Sequence, residues 1–378
     1  MTAEMLLSIG MLLLFAKIFG ELAERFGVAS LVGEIAAGIF VGPLLGIAQL
    51  GPFLNVIMTL GIVFLLFYSG LEVKLEDIRP DLYTASTLAT LGGAASALLA
   101  SAVSYYFFHD VLTSIIIGIV LISTSNGTVF RILAKTGNFK TAIGRLVIAT
   151  TIADDVVSIL ALSFFTSLVL KSGVYVNELF TLLLISLGFY LFLLTAGTRV
   201  FSRFLSVTGL FRDEQIFLAM PVSIAFLASV FTENLGLSFA TGAFLTGMAM
   251  SKSRFAETII VPKMGIISNG FLIPLFYAAV GTLIIFSGIN YFLVVMLLVA
   301  ALLGKMVLFA AGYFIGLTTN EAKMLGIIMT PRGDSNIVFA QIALLLGTIS
   351  LHLYSSLIFV IIATTLIAPV LLRVFGVK

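Results

Sequence analysis

Long apolar segments, separated by short polar or Gly- and Pro-containing breaks, cover almost the whole chain. A helix that crosses a bilayer needs about 20 mostly apolar residues, and the sequence divides into thirteen segments of roughly this length. The pattern therefore predicts an all-α polytopic membrane protein with thirteen transmembrane helices. The predicted spans are 4–20, 28–47, 54–71, 82–108, 111–133, 141–170, 179–198, 215–231, 235–250, 262–286, 290–316, 322–346 and 350–374.

Lys and Arg residues alternate with these spans as the positive-inside rule requires. Of the 20, all but three lie at one set of segment ends and loops. Lys171 lies on the opposite side, whereas Lys305 and Arg332 fall inside predicted spans. Because an error of one span would scramble the alternation, the pattern predicts an outer amino terminus and a cytoplasmic carboxyl terminus. The first ten residues lack Lys and Arg, which predicts a retained first helix instead of a cleaved signal.

Composition agrees with this topology and excludes several classes of protein. Hydrophobic residues make up 60% of the chain and charged residues 10%, where soluble domains carry about 25% charged residues. Mean hydropathy is +1.21. Soluble enzymes and nucleic-acid binders are excluded, and we expect neither an enzymatic activity nor a cofactor. The formal charge of +2 offers no basic surface for a polyanion, and the absence of Cys excludes disulfides and thiolate metal sites.

Similar segments occur in the two halves of the chain. Residues 66–70 (LFYSG) resemble residues 275–281 (LFYAAVG), and the Gly-rich stretch at 38–42 resembles that at 242–247. The second copy follows seven spans later, and seven is odd, so the copies have opposite orientations in the membrane. This predicts an inverted repeat, as in many secondary transporters. The Gly-rich second and ninth spans also predict close helix packing.

Two adjacent carboxylates and one lysine lie near the centres of predicted spans. Asp154 and Asp155 are in the sixth span and Lys305 is in the eleventh. A single charge at this depth costs roughly 2.5–3.5 kcal/mol and usually marks an ion pathway or a pair. Consecutive helical residues point about 100° apart, so the two carboxylates have different surroundings. Lys305 can balance one of them, and the surplus negative charge suits one monovalent cation or its equivalent in protons.

Two spans contain polar breaks at a similar depth, at 123–128 (STSNGT) and at 330–336 (TPRGDSN). Broken helices free backbone groups, which membranes tolerate only where protein or a watery cavity satisfies them. The hydroxyls of Thr124 and Ser125 are therefore candidate ligands for a hard cation beside Asp155. Kinks that serve packing alone are the alternative interpretation.

Four further charged residues lie in or near these spans. Arg332 and Asp334 offer charges of both signs, which predicts that they neutralise opposed half-helix ends. Glu34 and Glu72 lie near predicted cytoplasmic ends of their spans, which predicts capping or interfacial roles.

In combination, these residues resemble the monovalent cation/proton antiporter superfamily. The resemblance extends over essentially the whole chain and is closest to NapA-type sodium/proton antiporters and to the membrane domains of Kef potassium-efflux systems. It rests on VGEI at 32–35, GP at 42–43, FYSGLE at 67–72, TS at 124–125, DD at 154–155, GAF at 242–244, GK at 304–305 and PRGD at 331–334.

The resemblance implies an NhaA-like antiporter fold, with inverted six-helix repeats and two crossed broken helices. The chain is then a single antiporter unit, 1–378, that forms a homodimer. A dimerisation domain would comprise about 1–75 and 213–287, and a core transport domain about 82–172 and 288–378. A linking helix is implied over about 178–200.

The resemblance also implies residue roles. Asp155 would bind Na⁺ and exchange it for protons, while Asp154 would pair with Lys305 and is a further possible metal ligand. The Asp-Asp-Lys combination favours electrogenic exchange, since Kef systems have Gln before the Asp. The chain departs from NapA-type proteins at Asp334, where they usually have Glu, and at Asn126, where small or apolar residues are common.

The expected function is therefore that of an electrogenic sodium/proton antiporter in the plasma membrane. It would exchange cytoplasmic Na⁺ or Li⁺ for external protons by alternating access, with the lipid bilayer as its surroundings. A potassium/proton antiporter of the Kef type is the nearest alternative, because oxygen ligands alone do not distinguish the two ions. A passive cation channel is disfavoured by the fixed positive charge of Lys305, and a membrane sensor would need an output domain.

Overall fold

The structure is a computed structural model that describes residues 2–48, 51–73, 81–170, 188, 215–253 and 255–375. These residues form helices joined by short connections, and no strand occurs among them. The α-helices are α1 Thr2–Arg25, α2 Ser30–Ile39, α3 Pro52–Glu72, α4 Leu82–Phe108, α5 Val111–Val120, α6 Asn126–Lys135, α7 Ala142–Leu170, α8 Ile216–Asn234, α9 Phe239–Met250, α10 Val261–Ile267, α11 Ile273–Thr282, α12 Tyr291–Phe314, α13 Thr319–Ile328, α14 Asp334–Leu345 and α15 Leu351–Val374.

The all-helical prediction is confirmed. In the described part of the chain, eight helices are long and apolar enough to cross a membrane. One of them runs over 256–282 and includes π-helical turns at Ala256–Ile260 and Ser268–Leu272. The predicted seventh span, 179–198, and the linking helix, 178–200, lie outside the described residues except for Gly188.

The chain leaves the helical conformation at both places where the sequence predicts breaks. Helix α5 ends at Val120 and α6 begins at Asn126, while α13 ends at Ile328 and α14 begins at Asp334. Each interrupted pair therefore exposes backbone groups at two half-helix ends in the interior of the molecule.

The helices pack in two groups. The first group comprises α1, α2, α3, α8, α9 and α11, which contact one another. The second group comprises α4 to α7 and α12 to α15. The groups meet where α9 contacts α7 and where α14 contacts α3. At the first of these contacts the hydroxyls of Ser163 and Thr241 are hydrogen-bonded, and Ser167 donates to the carbonyl of Gly236. We call the contact between the two groups the seam.

Small residues allow very close helix contacts inside the first group. A Cβ at Gly38 on α2 would overlap the carbonyl of Ala278 on α11. Likewise, a Cβ at Gly247 on α9 would overlap the carbonyl of Phe67 on α3. The close packing predicted for the Gly-rich second and ninth spans is therefore confirmed.

Candidate ion-binding site

Asp154 and Asp155 lie in the middle of α7 and are 0% and 1% exposed. Neighbouring positions on a helix point about 100° apart, so the two carboxylates face different elements. Each has its own set of hydrogen-bond donors, as the sequence predicts.

Asp154 belongs to a closed ion pair. The Lys305 ammonium on α12 lies 2.7 Å from both carboxylate oxygens, and the Thr124 hydroxyl donates to Oδ2 at 2.7 Å. Lys305 is 0% exposed. The buried charge of Asp154 is thus balanced and hydrogen-bonded, which is the condition under which buried charges are tolerated.

Asp155 has polar partners but forms no ion pair with any residue that the structure describes. Its Oδ1 accepts hydrogen bonds from Ser123, at 2.7 Å, and from Ser335, at 3.1 Å. Its Oδ2 accepts one from the Asn126 amide at 2.5 Å. These contacts stabilise the carboxylate without neutralising it, so a buried negative charge remains for a mobile cation or proton.

The sequence did not predict any of these three partners as a ligand. The candidate ligands that it indicated were Thr124 and Ser125. Thr124 contacts Asp154, and the Ser125 hydroxyl donates to Thr128 at 3.1 Å instead of to either carboxylate. The partners of Asp155 are found in the same two breaks, so the break motifs were the available signal. Which hydroxyl points at which carboxylate depends on the path of the backbone, which spacing alone does not reveal.

The two breaks touch each other. The backbone N–H of Ser125 donates to the carbonyl of Pro331 at 2.9 Å. A Cβ at Gly333 would overlap the side chain of Ser125. Because a Cβ at position 333 does not fit unless Ser125 shifts, the contact between the two breaks depends on Gly333.

Arg332 contacts the carboxyl-terminal end of the half-helix α5. Its fully buried guanidinium donates to the carbonyls of Ser123, at 3.1 Å, and Ala301, at 3.0 Å, and to the Ser96 hydroxyl at 3.0 Å. Helix carboxyl ends carry unpaired carbonyls and a partial negative charge. The guanidinium therefore lies at a helix end of the kind that Arg332 is predicted to neutralise, and the role itself stays a prediction.

Asn336 adds to the same end, although the sequence analysis gave it no role. Its amide donates to the carbonyls of Val120, at 2.7 Å, and Ser123, at 3.0 Å. Its Oδ1 accepts from the backbone N–H of Gly333 at 2.8 Å and so caps α14. One side chain thus connects the ends of two half-helices.

Asp334 occupies the first turn of α14, where the helix dipole favours a negative charge. Its Oδ1 accepts a hydrogen bond of 2.6 Å from the hydroxyl of Tyr277 on α11. The shorter side chain of Asp334 therefore still reaches a partner, and that partner belongs to the other group of helices.

A cavity of about 510 Å³ lies along the seam, between α1, α2, α3 and α11 on one side and α6 and α14 on the other. We call it the vestibule. Asn126 and Ser335 line it, so it comes within one side chain of Asp155. Its wall also includes Glu34, Glu72 and Asp334.

Glu34 does not have the capping or interfacial role that its sequence position suggests. It lies inside α2, is 5% exposed, and makes no hydrogen bond to any residue that the structure describes. Its carboxylate instead lines the vestibule. The cavity that leads from the ends of α1 and α3 towards Asp155 is therefore lined by more acidic than basic side chains, although Lys17 and Arg131 also line it.

In the described residues, no group of three or more His, Cys, Asp or Glu side chains lies close enough to hold a metal ion. The ligands beside Asp155 are hydroxyl and amide groups together with a single carboxylate. Such a mixed oxygen set suits a hard cation of low charge, because each added carboxylate would add a buried charge to balance.

Comparison with known proteins decides between families that could use such a site. A family model described as sodium/hydrogen exchanger, transmembrane, matches residues 10–378. The chain belongs to the sodium/hydrogen exchanger family. The family consists of membrane transporters, and the resemblance drawn from the residue motifs is confirmed.

Sodium/hydrogen exchangers of known name align with nearly the full chain. The Na⁺/H⁺-K⁺ antiporter GerN of Bacillus cereus is 26% identical, with 100% of this chain and 98% of GerN covered. A Na⁺/H⁺ antiporter of Enterococcus hirae is 25% identical, with 97% of each chain covered.

A solved exchanger shares the fold. The sodium proton antiporter MjNhaP1 from Methanocaldococcus jannaschii superposes with a TM-score of 0.73 over 99% of this chain and 97% of its own, at 15% identity. At this identity the likeness concerns architecture, which agrees with the helical arrangement described above.

Proposed function

We propose that this chain is an electrogenic antiporter that exchanges Na⁺ or Li⁺ for protons by alternating access, with Asp155 as the shared binding site. The proposal rests on the difference in charge balance between two adjacent buried carboxylates. Asp154 is neutralised by Lys305, whereas Asp155 is buried without a positive partner among the described residues.

Competition at Asp155 follows from charge. A buried carboxylate without a counter-charge is costly, and either a cation or a proton removes that cost. A cation and a proton compete for the same carboxylate, so binding of one favours release of the other. Exchange, instead of leak, results if the site can change sides only when Asp155 has either a cation or a proton bound.

Asn126 supplies a ligand that the sequence analysis treated only as a departure from the family. Its Nδ2 faces Asp155, because an amide oxygen at 2.5 Å from a carboxylate would be repelled. Its Oδ1 is consequently turned away and is buried without a hydrogen-bond partner in the described part of the chain. When Na⁺ binds at Asp155, rotation of the amide brings Oδ1 to the cation and gives this unpaired oxygen a partner.

The vestibule supports an inward-facing arrangement. It opens beside the end of α1, at the side that the Lys and Arg pattern assigns to the cytoplasm, and it reaches the partners of Asp155. The Ser163–Thr241 contact closes the seam elsewhere. Movement of the group α4–α7 and α12–α15 against the other group would close the vestibule and open this contact, as expected of a core moving against a dimerisation domain in a homodimer.

Electrogenic exchange requires a second proton-dependent group, and the Asp154–Lys305 pair is suited to this role. The ammonium is held at 2.7 Å from its only carboxylate partner in the described residues. If cation binding beside Asp154 weakens this pair, Lys305 can release a proton as well. More protons than cations then move in each cycle.

Potassium is the second candidate ion. The name of GerN includes K⁺ as well as Na⁺, and the oxygen ligands at Asp155 do not select between the two by their chemistry. Exchange with K⁺ would use the same carboxylate and the same competition with protons.

Reconstitution into proteoliposomes with an imposed proton gradient tests the proposal. We expect Na⁺ or Li⁺ to dissipate the gradient with movement of charge, measured by a lumenal pH dye and a voltage dye. Asp155→Asn removes the titrating group with little change in shape, and we expect it to abolish exchange while leaving the melting temperature close to that of the parent.

Each alternative gives a different result in the same assay. Dissipation by K⁺ alone would assign the protein to potassium exchange. Downhill Na⁺ flux without coupled proton movement would indicate a channel. Exchange at the parental rate by Asp155→Asn would refute the assignment of the site.

A further inference from the structure

A second cavity, separate from the vestibule, lies at the edge of the molecule between the α1–α2 connection, α6 and α15. Its volume is about 430 Å³. The group α4–α7 and α12–α15 contributes α6 and α15, and the other group contributes residues 26–29, so the cavity crosses the seam. We call it the edge pocket.

The edge pocket combines positive charge with an apolar wall. Arg131, Lys135 and Arg373 line it, and among the residues that the structure describes no Asp or Glu does. Much of the remaining wall is apolar, and its rim includes side chains that point away from the protein: Phe26 is 84% exposed, Val370 55% and Leu366 41%. In a membrane protein, exposed apolar side chains of this kind face lipid.

Two of the three cations have no partner inside the described structure. Lys135 and Arg373 occupy the last turns of α6 and α15, where the helix dipole favours them. Neither makes a hydrogen bond or an ion pair with any described residue, including the carbonyls at those helix ends. Arg131 donates to the carbonyl of Val28 and lies 3.2 Å from Glu24, so it is held in place at the pocket wall.

We propose that the edge pocket binds an anionic phospholipid. The phosphate would lie among Lys135, Arg373 and Arg131, and the upper part of the acyl chains would contact the apolar wall. The pocket is located at the end of the molecule that the charge pattern assigns to the cytoplasm, where basic pockets between transmembrane helices bind anionic headgroups. A soluble anion would satisfy the cations but not the lipid-facing apolar rim, so an amphiphile fits both features.

Such a lipid would connect the two groups of helices. Lys135 and Arg373 lie on one side of the seam, whereas the α1–α2 connection that Arg131 contacts lies on the other. Arg131 lines both the edge pocket and the vestibule. A bound lipid therefore stabilises this arrangement of the seam, and its effect does not depend on transport.

The test measures lipid binding to the detergent-solubilised, delipidated protein by thermal unfolding during titration with phosphatidylglycerol or phosphatidylcholine. We expect phosphatidylglycerol to raise the melting temperature and phosphatidylcholine to raise it much less. Removing two charges with Lys135→Gln/Arg373→Gln should weaken the apparent affinity for phosphatidylglycerol by about thirtyfold, since each near-surface cation contributes about 1 kcal/mol.

Lys140→Gln/Lys323→Gln is the matched control, because it removes the same charge outside the edge pocket. It should retain the parental response. Equal protection by phosphatidylcholine, or by inorganic phosphate alone, would overturn the proposal, and so would an equal loss in the control. The Asp155→Asn protein should respond to phosphatidylglycerol as the parent does, so failure of the antiport proposal leaves this result interpretable.

Discussion

Asp154 and Asp155 differ by one position in the chain, and the rotation of about 100° between neighbouring helical residues determines their partners. Asp154 meets an ammonium and a threonine hydroxyl. Asp155 meets two serine hydroxyls and an amide. At the scale of single residues, one helix thus carries both a fixed ion pair and an exchangeable charge.

Asn126→Ala removes both the donor to Asp155 and the proposed ligand oxygen. We expect the half-saturating Na⁺ concentration to rise by about tenfold, since a contact with a charged group contributes about 1.5–3 kcal/mol. The measurement is Na⁺-dependent proton movement in proteoliposomes at a pH where Asp155 is ionised. At that pH Na⁺ does not have to displace a proton from Asp155. A change in the Na⁺ dependence therefore reports on cation binding.

Gly127→Ala is the control for this variant, because position 127 is exposed and a Cβ there meets nothing within 4 Å. We expect parental Na⁺ dependence from it. If Asn126→Ala also keeps the parental Na⁺ dependence at that pH, Asn126 is a hydrogen-bond donor only and the rotation of its amide is excluded.

Lys305→Gln leaves the carboxylate of Asp154 buried without a counter-charge. Breaking a buried pair by removing one partner costs about 3–5 kcal/mol, whereas replacing both is often neutral. We therefore expect the single variant to have a clearly lower melting temperature in detergent, and Asp154→Asn/Lys305→Gln to recover most of the loss. A double variant no more stable than the single one would show that the pair is not the source of the effect.

Among the helices, the two broken ones are hydrogen-bonded to each other, and polar side chains donate to the carbonyl end of one of them. Ser125 and Pro331 share a backbone hydrogen bond, while Arg332 and Asn336 donate to carbonyls at the end of α5. Backbone groups in a membrane interior must be satisfied by protein or by water. The polar residues of the breaks therefore hold the backbone that positions the ligands of Asp155.

Gly333→Ala tests the contact between the two breaks, because the added methyl group would overlap Ser125. Overpacking of this kind costs about 1–3 kcal/mol. We expect a lower melting temperature, and we expect Ser125→Gly/Gly333→Ala to lose less stability than the sum of the two single variants. Strict additivity in this double-mutant cycle would place the strain elsewhere.

The sequence predicted these elements well for a physical reason. A charge or a helix break in an apolar span is so costly that each one indicates a functional site or an internal cavity. Asp154, Asp155, Lys305 and both breaks are predicted from the sequence for this reason. Hydroxyls carry no such signal, because Ser and Thr occur throughout the spans. The contacts of Ser123 and Ser335 with Asp155 arise only once both breaks pack against α7, and Ser125 bonds to Thr128 within the first turn of its own half-helix.

At the scale of the whole molecule, the seam is closed at one place and open at another. The hydroxyls of Ser163 and Thr241 meet across it, whereas the vestibule separates the two groups of helices near Asp155. Charge patterning supplied the expected orientation of the chain, but only three-dimensional packing shows that Glu34, Glu72 and Asp334 share a cavity.

A reversible crosslink can test whether the seam moves during transport. The chain has no Cys, so Ser163→Cys/Thr241→Cys introduces the only two thiols, at positions whose side chains are in contact. We expect oxidation to stop Na⁺/H⁺ exchange in proteoliposomes and a reducing agent to restore it. Each single variant, treated with the same oxidant, should be unaffected.

Full exchange by the crosslinked double variant would mean that α7 and α9 keep their contact throughout the cycle. The proposed movement of one group of helices against the other would then be wrong at this point of the seam.

The ion pair of Asp154 and Lys305 also determines whether the membrane voltage can drive transport. If the pair stays intact, the site is equally charged with Na⁺ or with a proton on Asp155, and the electric field favours neither direction. If Lys305 gains and loses a proton, one direction carries an extra elementary charge, worth about 2.3 kcal/mol per 100 mV. A cell whose medium is more alkaline than its cytoplasm could then still expel sodium, because voltage would replace the missing pH gradient.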